Sequence, residues 1–203
     1  LLPYVFPKAE IARTPSRFHI GAESDKEDIL KVEQALMAQN LEGTTLAQAD
    51  DVYDENTVDA IVKYHQKITN DPQNTDDTFD REDWEALIAT DADRKNIDLL
   101  AKIIFSESGG ANDDEHIAIA GVVIDFAAKE NRSIEKELKS GRYNPCDDWD
   151  RFMAKKPGAR CVENAKKAYY DHIRVFGGGK AYYFHATYIV PEPGSWWRTN
   201  VYR

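Results

Sequence analysis

The stretch Ile117-Ala118-Ile119-Ala120-Gly121-Val122-Val123-Ile124 constrains this chain more than any other. Asn112-Asp113-Asp114-Glu115 before it has the form of a capping box, which predicts a helix starting there. Such a helix is apolar on nearly every side, so it has no polar face to give to water. Its domain must be built around it. The run is the longest apolar one in the chain and is far too short to cross a bilayer. Ala118, Ala120 and Gly121 leave room for a neighbouring helix to approach closely. The neighbour is Ile97 to Phe105, another apolar helical stretch, which runs into Ser106-Glu107-Ser108-Gly109-Gly110.

Glu107 is therefore expected at the C-terminal end of a buried helix, beside flexible glycines. Burial disfavours its ionised form, and the negative end of the helix dipole acts in the same direction. A carboxyl group so placed meets the requirement for a general acid at a glycosidic bond. Spacing alone fits an ordinary Glu beside a glycine stop signal equally well.

With 203 residues, 42% hydrophobic and 31% charged, the chain reads as a soluble globular protein of one domain or two small ones. Its net charge of -10 argues against nonspecific attraction to nucleic acid or to anionic lipid. A polymer substrate must then be held by shape, stacking and hydrogen bonds. Leu1-Leu2-Pro3-Tyr4 has neither a basic region nor a long apolar core, so no signal peptide is read there. The two cysteines, Cys146 and Cys161, share one irregular segment, where a short disulfide-closed loop is possible alongside two reduced thiols.

Residues 1–24, with Pro3, Pro7 and Pro15, read as an extended arm. Residues 25–92 read as three helices. Ser24-Asp25-Lys26-Glu27 suggests a capping box for the first, with Ile29, Val32, Ala35 and Leu36 on one face. The second starts near Asp54 or Thr57 and carries Val58, Ile61, Val62 and His65. The third begins at Asp80 and buries Trp84, Leu87 and Ile88. Asp91 to Asn96 is a charged joint, and residues 93–203 form the second unit. There Ser133 caps a short helix ending at Gly141, and Val162, Ala165, Ala168, Tyr169 and Ile173 mark an amphipathic one that stops at Gly177. Ala181 to Tyr188 has strand-like composition.

The three-helix stretch resembles the peptidoglycan-binding-like module found beside many cell-wall hydrolases. Its likeness lies in Val32-Glu33-Gln34-Ala35-Leu36, Asp51 to Ile61, Tyr64-His65-Gln66 and Trp84-Glu85-Ala86-Leu87. The second unit resembles the SleB/CwlJ cell-wall hydrolase family. That likeness is carried by Leu100 to Gly110 with Ile117 to Ile124, by Gly141-Arg142-Tyr143-Asn144-Pro145, and by Ala181 to Pro191 with Ser195-Trp196-Trp197-Arg198-Thr199. Asp125-Phe126 departs from the Asn-Arg frequent in that family, and Cys146 to Arg160 has no placeable counterpart. Together these imply a mainly α protein: a lysozyme-like catalytic domain with a short β region, preceded by a three-helix module.

The resemblance further implies cleavage between N-acetylmuramic acid and N-acetylglucosamine, with Glu107 as catalytic acid. Glu107 would protonate the leaving oxygen, then act as base while the muramoyl 6-hydroxyl attacks the anomeric carbon, leaving a 1,6-anhydro end. This needs no metal and no cofactor. A hydrolytic route would need a second carboxylate, about 5 Å away for retention. Asp113, Asp114 and Glu115 are nearest in sequence and read as capping residues. The expected partner is the glycan strand of peptidoglycan, with no nucleic acid and no membrane insertion, in the cell envelope, periplasm or outside the cell.

Tyr143, Tyr182, Tyr183, Trp196 and Trp197 are candidates to line a sugar groove, with Asn144, His185 and Arg198 as polar partners. Strand alternation allows only about half of the tail residues to face it. Other chemistries fit less well. A thiol at Cys146 has acidic neighbours Asp147 and Asp148, which raise its pKa. His19, His65, His116, His172 and His185 are scattered, without a His-Glu-x-x-His zinc pattern. Asp71 to Asp80 lacks the Gly and terminal Glu of a calcium loop. A noncatalytic wall-binding or virion-associated structural protein is the rival from another class.

Overall fold

The computed structural model describes residues 18–108 and 112–173. Among them the protein is mainly α, with eight α-helices and one two-stranded sheet. No helix among the described residues is long and apolar enough to cross a membrane. The chain divides into two compact units, one ending at Asp93 and the other starting at Arg94.

In the first unit, α1 (Lys26–Ala38) packs on α2 (Glu55–Thr69), and α3 (Arg81–Leu87) follows β2 (Phe79–Asp80) directly. Asp54 caps α2 by accepting the N–H groups of Asn56 and Thr57, and Asp80 caps α3 in the same way through Glu82 and Asp83. Both caps satisfy donors that no intrahelical carbonyl can reach. The expected box at Ser24 is not formed. Ser24 Oγ instead accepts the Gly21 N–H at 3.0 Å, and the cap residue of α1 is Asp25, without a side-chain bond.

The core of this unit holds Ile29, Val32, Leu36, Ala60, Ile61, Tyr64, Phe79 and Trp84. Val58, Val62, Leu87 and Ile88 are half-buried rather than central. His65 is buried as expected, and Thr57, Arg81 and Asp83 are buried beside it as further polar groups; Thr57 bonds Glu33 and Asp83 meets His65, partners distant in sequence. The short antiparallel pairing of β1 (His19–Ile20) with β2 was not legible beforehand.

In the second unit α4 (Asp91–Ser108) leads to α5 (Asp113–Lys129). The charged joint is the first turn of α4, closed by Thr90 and Asp93, whose side chains each bond the other's backbone N–H at 3.2 and 2.8 Å. Asn112 caps α5 by accepting the Glu115 N–H at 2.9 Å, while Glu115 takes the Asn112 N–H. As its composition demands, α5 is buried on most sides, through Ile117, Ile119, Ala120, Gly121, Val122, Val123 and Phe126. It packs on α6 (Ile134–Leu138) and most extensively on α8 (Ala159–Tyr169). Each fully buried Ile or Val there contributes roughly 1.5–3 kcal/mol.

Ser133 caps α6 through the Lys136 N–H, but the helix ends at Leu138, and Gly141 lies beyond it at φ +79°, a left-handed conformation suited to glycine. The segment expected to be irregular contains a 3-10 turn (Asn144–Cys146) and α7 (Trp149–Met153), capped by Asp148. Helix α8 ends at Tyr169, well before Gly177. The strand expected over Ala181 to Tyr188 lies outside the described residues.

Candidate active site around Glu107

Helix α4 brings Glu107 to its position by ordinary helical periodicity. Leu100, Ile103 and Ile104 are fully buried and stand one or two turns before Glu107 on the same face. Phe105, on the other side, is exposed. The helix is tied down along its length. Lys95 Nζ pairs with Glu135 of α6 at 2.5 Å, and Asn96 Nδ2 donates to the Tyr169 hydroxyl of α8 at 3.0 Å. Lys102 pairs with Asp98, and the Ser106 hydroxyl donates to the Lys102 carbonyl at 2.7 Å.

The Glu107 side chain is half-buried and, among the described residues, takes part in no hydrogen bond or ion pair. Burial holds its carboxyl above the ordinary value. Among the described residues, the buried carboxylates of Glu33, Asp83 and Glu137 all have hydrogen-bonding or charged partners. A half-buried carboxyl with no partner among the described residues, its pKa raised by burial, is suited to give a proton to a bound group.

Cys146 lies within electrostatic reach of Glu107. Burial, then the charge of Glu107, then that of Asp147, push its thiol up to about 12. The acidic neighbourhood thus acts in the direction expected from sequence, with Glu107 an addition that sequence did not reveal. A thiol held so firmly neutral is poorly suited to be a nucleophile. Cys146 and Cys161 are both buried and both free, so the disulfide considered above is not formed. Cys146 belongs to the 3-10 turn and Cys161 to the first turn of α8, separate elements with separate packing.

Tyr143 is placed differently from expectation. It is 5% exposed and its hydroxyl donates to Glu137 Oε1 at 3.2 Å, which makes it a core residue rather than a flat surface for a sugar ring. Asn144 at the start of the 3-10 turn is exposed, and its carboxamide is unbonded among the described residues. It remains available to a ligand on the same turn as Cys146. Tyr183, His185 and Trp196, like Tyr182, Trp197 and Arg198, lie outside the described residues.

Of the acids that open α5, Asp113 and Glu115 have structural partners. Asp113 Oδ1 accepts Arg160 Nε at 2.7 Å and Asn164 Nδ2 at 2.8 Å, and Asn164 also meets Nδ1 of the fully buried His116 at 3.1 Å. This network fastens α8 to the start of α5. Two open recesses on the first unit, one beside Asn40, Lys63 and Asn70 and one beside Thr45 and Asn56, do not include Glu107. Compared with protein-family models, with curated proteins and with solved structures, the chain has no match in any of the three.

Proposed function

We propose that this protein cleaves the glycosidic bond between N-acetylmuramic acid and N-acetylglucosamine in peptidoglycan, with Glu107 as general acid in a lysozyme-like helical domain. One observation carries the reading: the half-buried Glu107 carboxyl has no partner among the described residues and is biased by burial toward its protonated form. Such a group delivers its proton to the leaving oxygen as the bond breaks. The resulting carboxylate then removes the proton of the muramoyl 6-hydroxyl as that oxygen bonds to the anomeric carbon, leaving a 1,6-anhydro end. One carboxyl group serves both steps. Asp113, the nearest of the three acids in sequence, is engaged by Arg160 and Asn164, which favours the transglycosylase route over a two-carboxylate hydrolysis.

The first unit, with its three helices, is assigned to wall attachment, and the site of action is accordingly the cell envelope. Digestion of purified peptidoglycan followed by mass spectrometry tests the proposal. The wild type is expected to release anhydro-muropeptides, and Glu107→Gln to lower the rate by about 100-fold or more, within the range for loss of a general acid. Activity should fall as pH rises through the elevated Glu107 value, because the acid form is then depleted. Reducing ends would identify a hydrolase, with exposed Asp147 the next carboxylate to replace. Freed stem peptides would indicate an amidase. No release by the wild type would leave a noncatalytic wall-binding role, to be read by cosedimentation with the insoluble polymer.

A further inference from the structure

Glu137 is the buried acid that the lytic chemistry leaves without a task. It sits on α6 with 0% exposure and gathers four contacts. Oε1 accepts the Tyr143 hydroxyl at 3.2 Å and Arg142 Nη1 at 3.4 Å; Oε2 accepts the same Arg142 nitrogen at 3.4 Å and forms an ion pair with Arg132 Nε at 3.2 Å. Arg142 is itself fixed, its guanidinium 4.1 Å from the centre of the Phe126 ring on α5. Burying this carboxylate is costly, and well-packed apolar residues often stabilise as much as a buried ion pair does. What the charged arrangement adds is a defined position for each partner.

The partner with consequences is Tyr143. Its carbonyl accepts the Cys146 N–H at 2.8 Å, closing the 3-10 turn, so anchoring the phenol anchors the turn. Cys146, at the end of that turn, is the thiol that senses the charge of Glu107. We propose that Glu137 is a positioning residue: it holds Tyr143 through its hydroxyl and Arg132 and Arg142 through their charge, and so fixes the turn Asn144–Cys146 in place. That turn carries the exposed Asn144 and the buried Cys146, whose thiol feels the charge of Glu107. Only the kinetic consequence rests on the lytic reading.

The two cysteines make the test internal to one chain. Alkylation of the full-length protein with iodoacetamide, counted peptide by peptide, reads the opening of the turn at Cys146 and of α8 at Cys161. Tyr143→Phe and Glu137→Gln should each speed Cys146 alkylation about tenfold or more, the effect of one lost buried hydrogen bond on a local opening equilibrium. Cys161 should stay at the wild-type rate. Both thiols accelerating together, or neither, would overturn the proposal, because a merely structural loss loosens the whole unit. Should Glu137→Gln fail to fold, Tyr143→Phe decides alone. On peptidoglycan, kcat should fall in both variants while KM holds; an unchanged kcat in an active enzyme would also overturn it. A wild type that releases nothing defeats the lytic reading, while the alkylation contrast still judges Glu137.

Discussion

Glu33 allows the first unit to be tested by two substitutions with opposite expectations. Its carboxylate is fully buried on α1, where Oε2 accepts the N–H groups of Asp50 at 2.8 Å and Asp51 at 3.1 Å, and Oε1 accepts the Thr57 hydroxyl at 2.8 Å. It thereby joins α1, the loop before α2 and the first turn of α2, and it holds Asp51 at φ +63°, a strained conformation for a residue with a side chain. Alanine removes all three bonds and leaves a void. The Asp50 and Asp51 amides are near water and can be rehydrated, and Thr57 can turn to the Val52 carbonyl, already 3.1 Å away. The net cost is then about 3 kcal/mol, from the lost charge-assisted bonds and the cavity.

Glutamine keeps the shape, and every group still finds a partner. Its oxygen takes the two backbone N–H groups, its amide donates to Thr57 Oγ, and the Thr57 hydrogen goes to Val52. Only the charge is lost, at about 1 kcal/mol. Hydrogen exchange at the Asp50 and Asp51 amides reads the difference directly. Glu33→Ala should lower their protection about 100-fold and Glu33→Gln less than about tenfold. Equal losses in the two variants, or unprotected amides in the wild type, would refute the reasoning.

His65 makes the stability of the same unit pH-dependent. Its Nδ1 faces the Asp76 carbonyl at 2.9 Å and its Nε2 faces Asp83 Oδ1 at 3.1 Å, so both ring nitrogens meet acceptors and only the imidazolium satisfies both. Burial draws its pKa down, but the bonds to Asp76 and Asp83 outweigh it and leave the value raised. The stabilisation is therefore complete below the unfolded value, about 6.5, and is lost as pH rises through the folded value. Urea midpoints followed by the amide signals of residues 18–93 should fall across that range in the wild type and stay flatter in His65→Gln; parallel slopes would contradict this. In the second unit, Asp113→Ala should free Arg160 and Asn164 and loosen α8, lowering the melting temperature. It should speed alkylation of Cys161 and not of Cys146, the mirror image of the Glu137 result; acceleration at Cys146 alone would refute that assignment.

The features legible in the sequence are those settled within a few residues. Asp54, Asp80, Asn112 and Ser133 act as caps because each bonds a backbone N–H two or three positions ahead. The central place of α5 followed from its lack of a polar face, and the place of Glu107 at the end of α4 from periodicity and the glycines behind it. Ser24 looked like the same kind of signal, yet a turn with Gly21 claimed its hydroxyl. Helix α7, Trp149–Met153, is too short to show a period.

Tertiary structure decided which charges are buried and what satisfies them. Glu33, His65 and Asp113 find their partners 11 to 51 positions away, and β1 pairs with a strand on the far side of two helices. Glu137 and Tyr143 stand only six positions apart, but the turn between them is what aims one at the other. The same holds for the candidate acid. Local pattern determined where Glu107 stands along its helix, but its partial burial and its electrostatic reach to Cys146 depend on what the rest of the unit packs around it. Burial and distance are properties of the assembled fold, and no stretch of sequence contains them by itself.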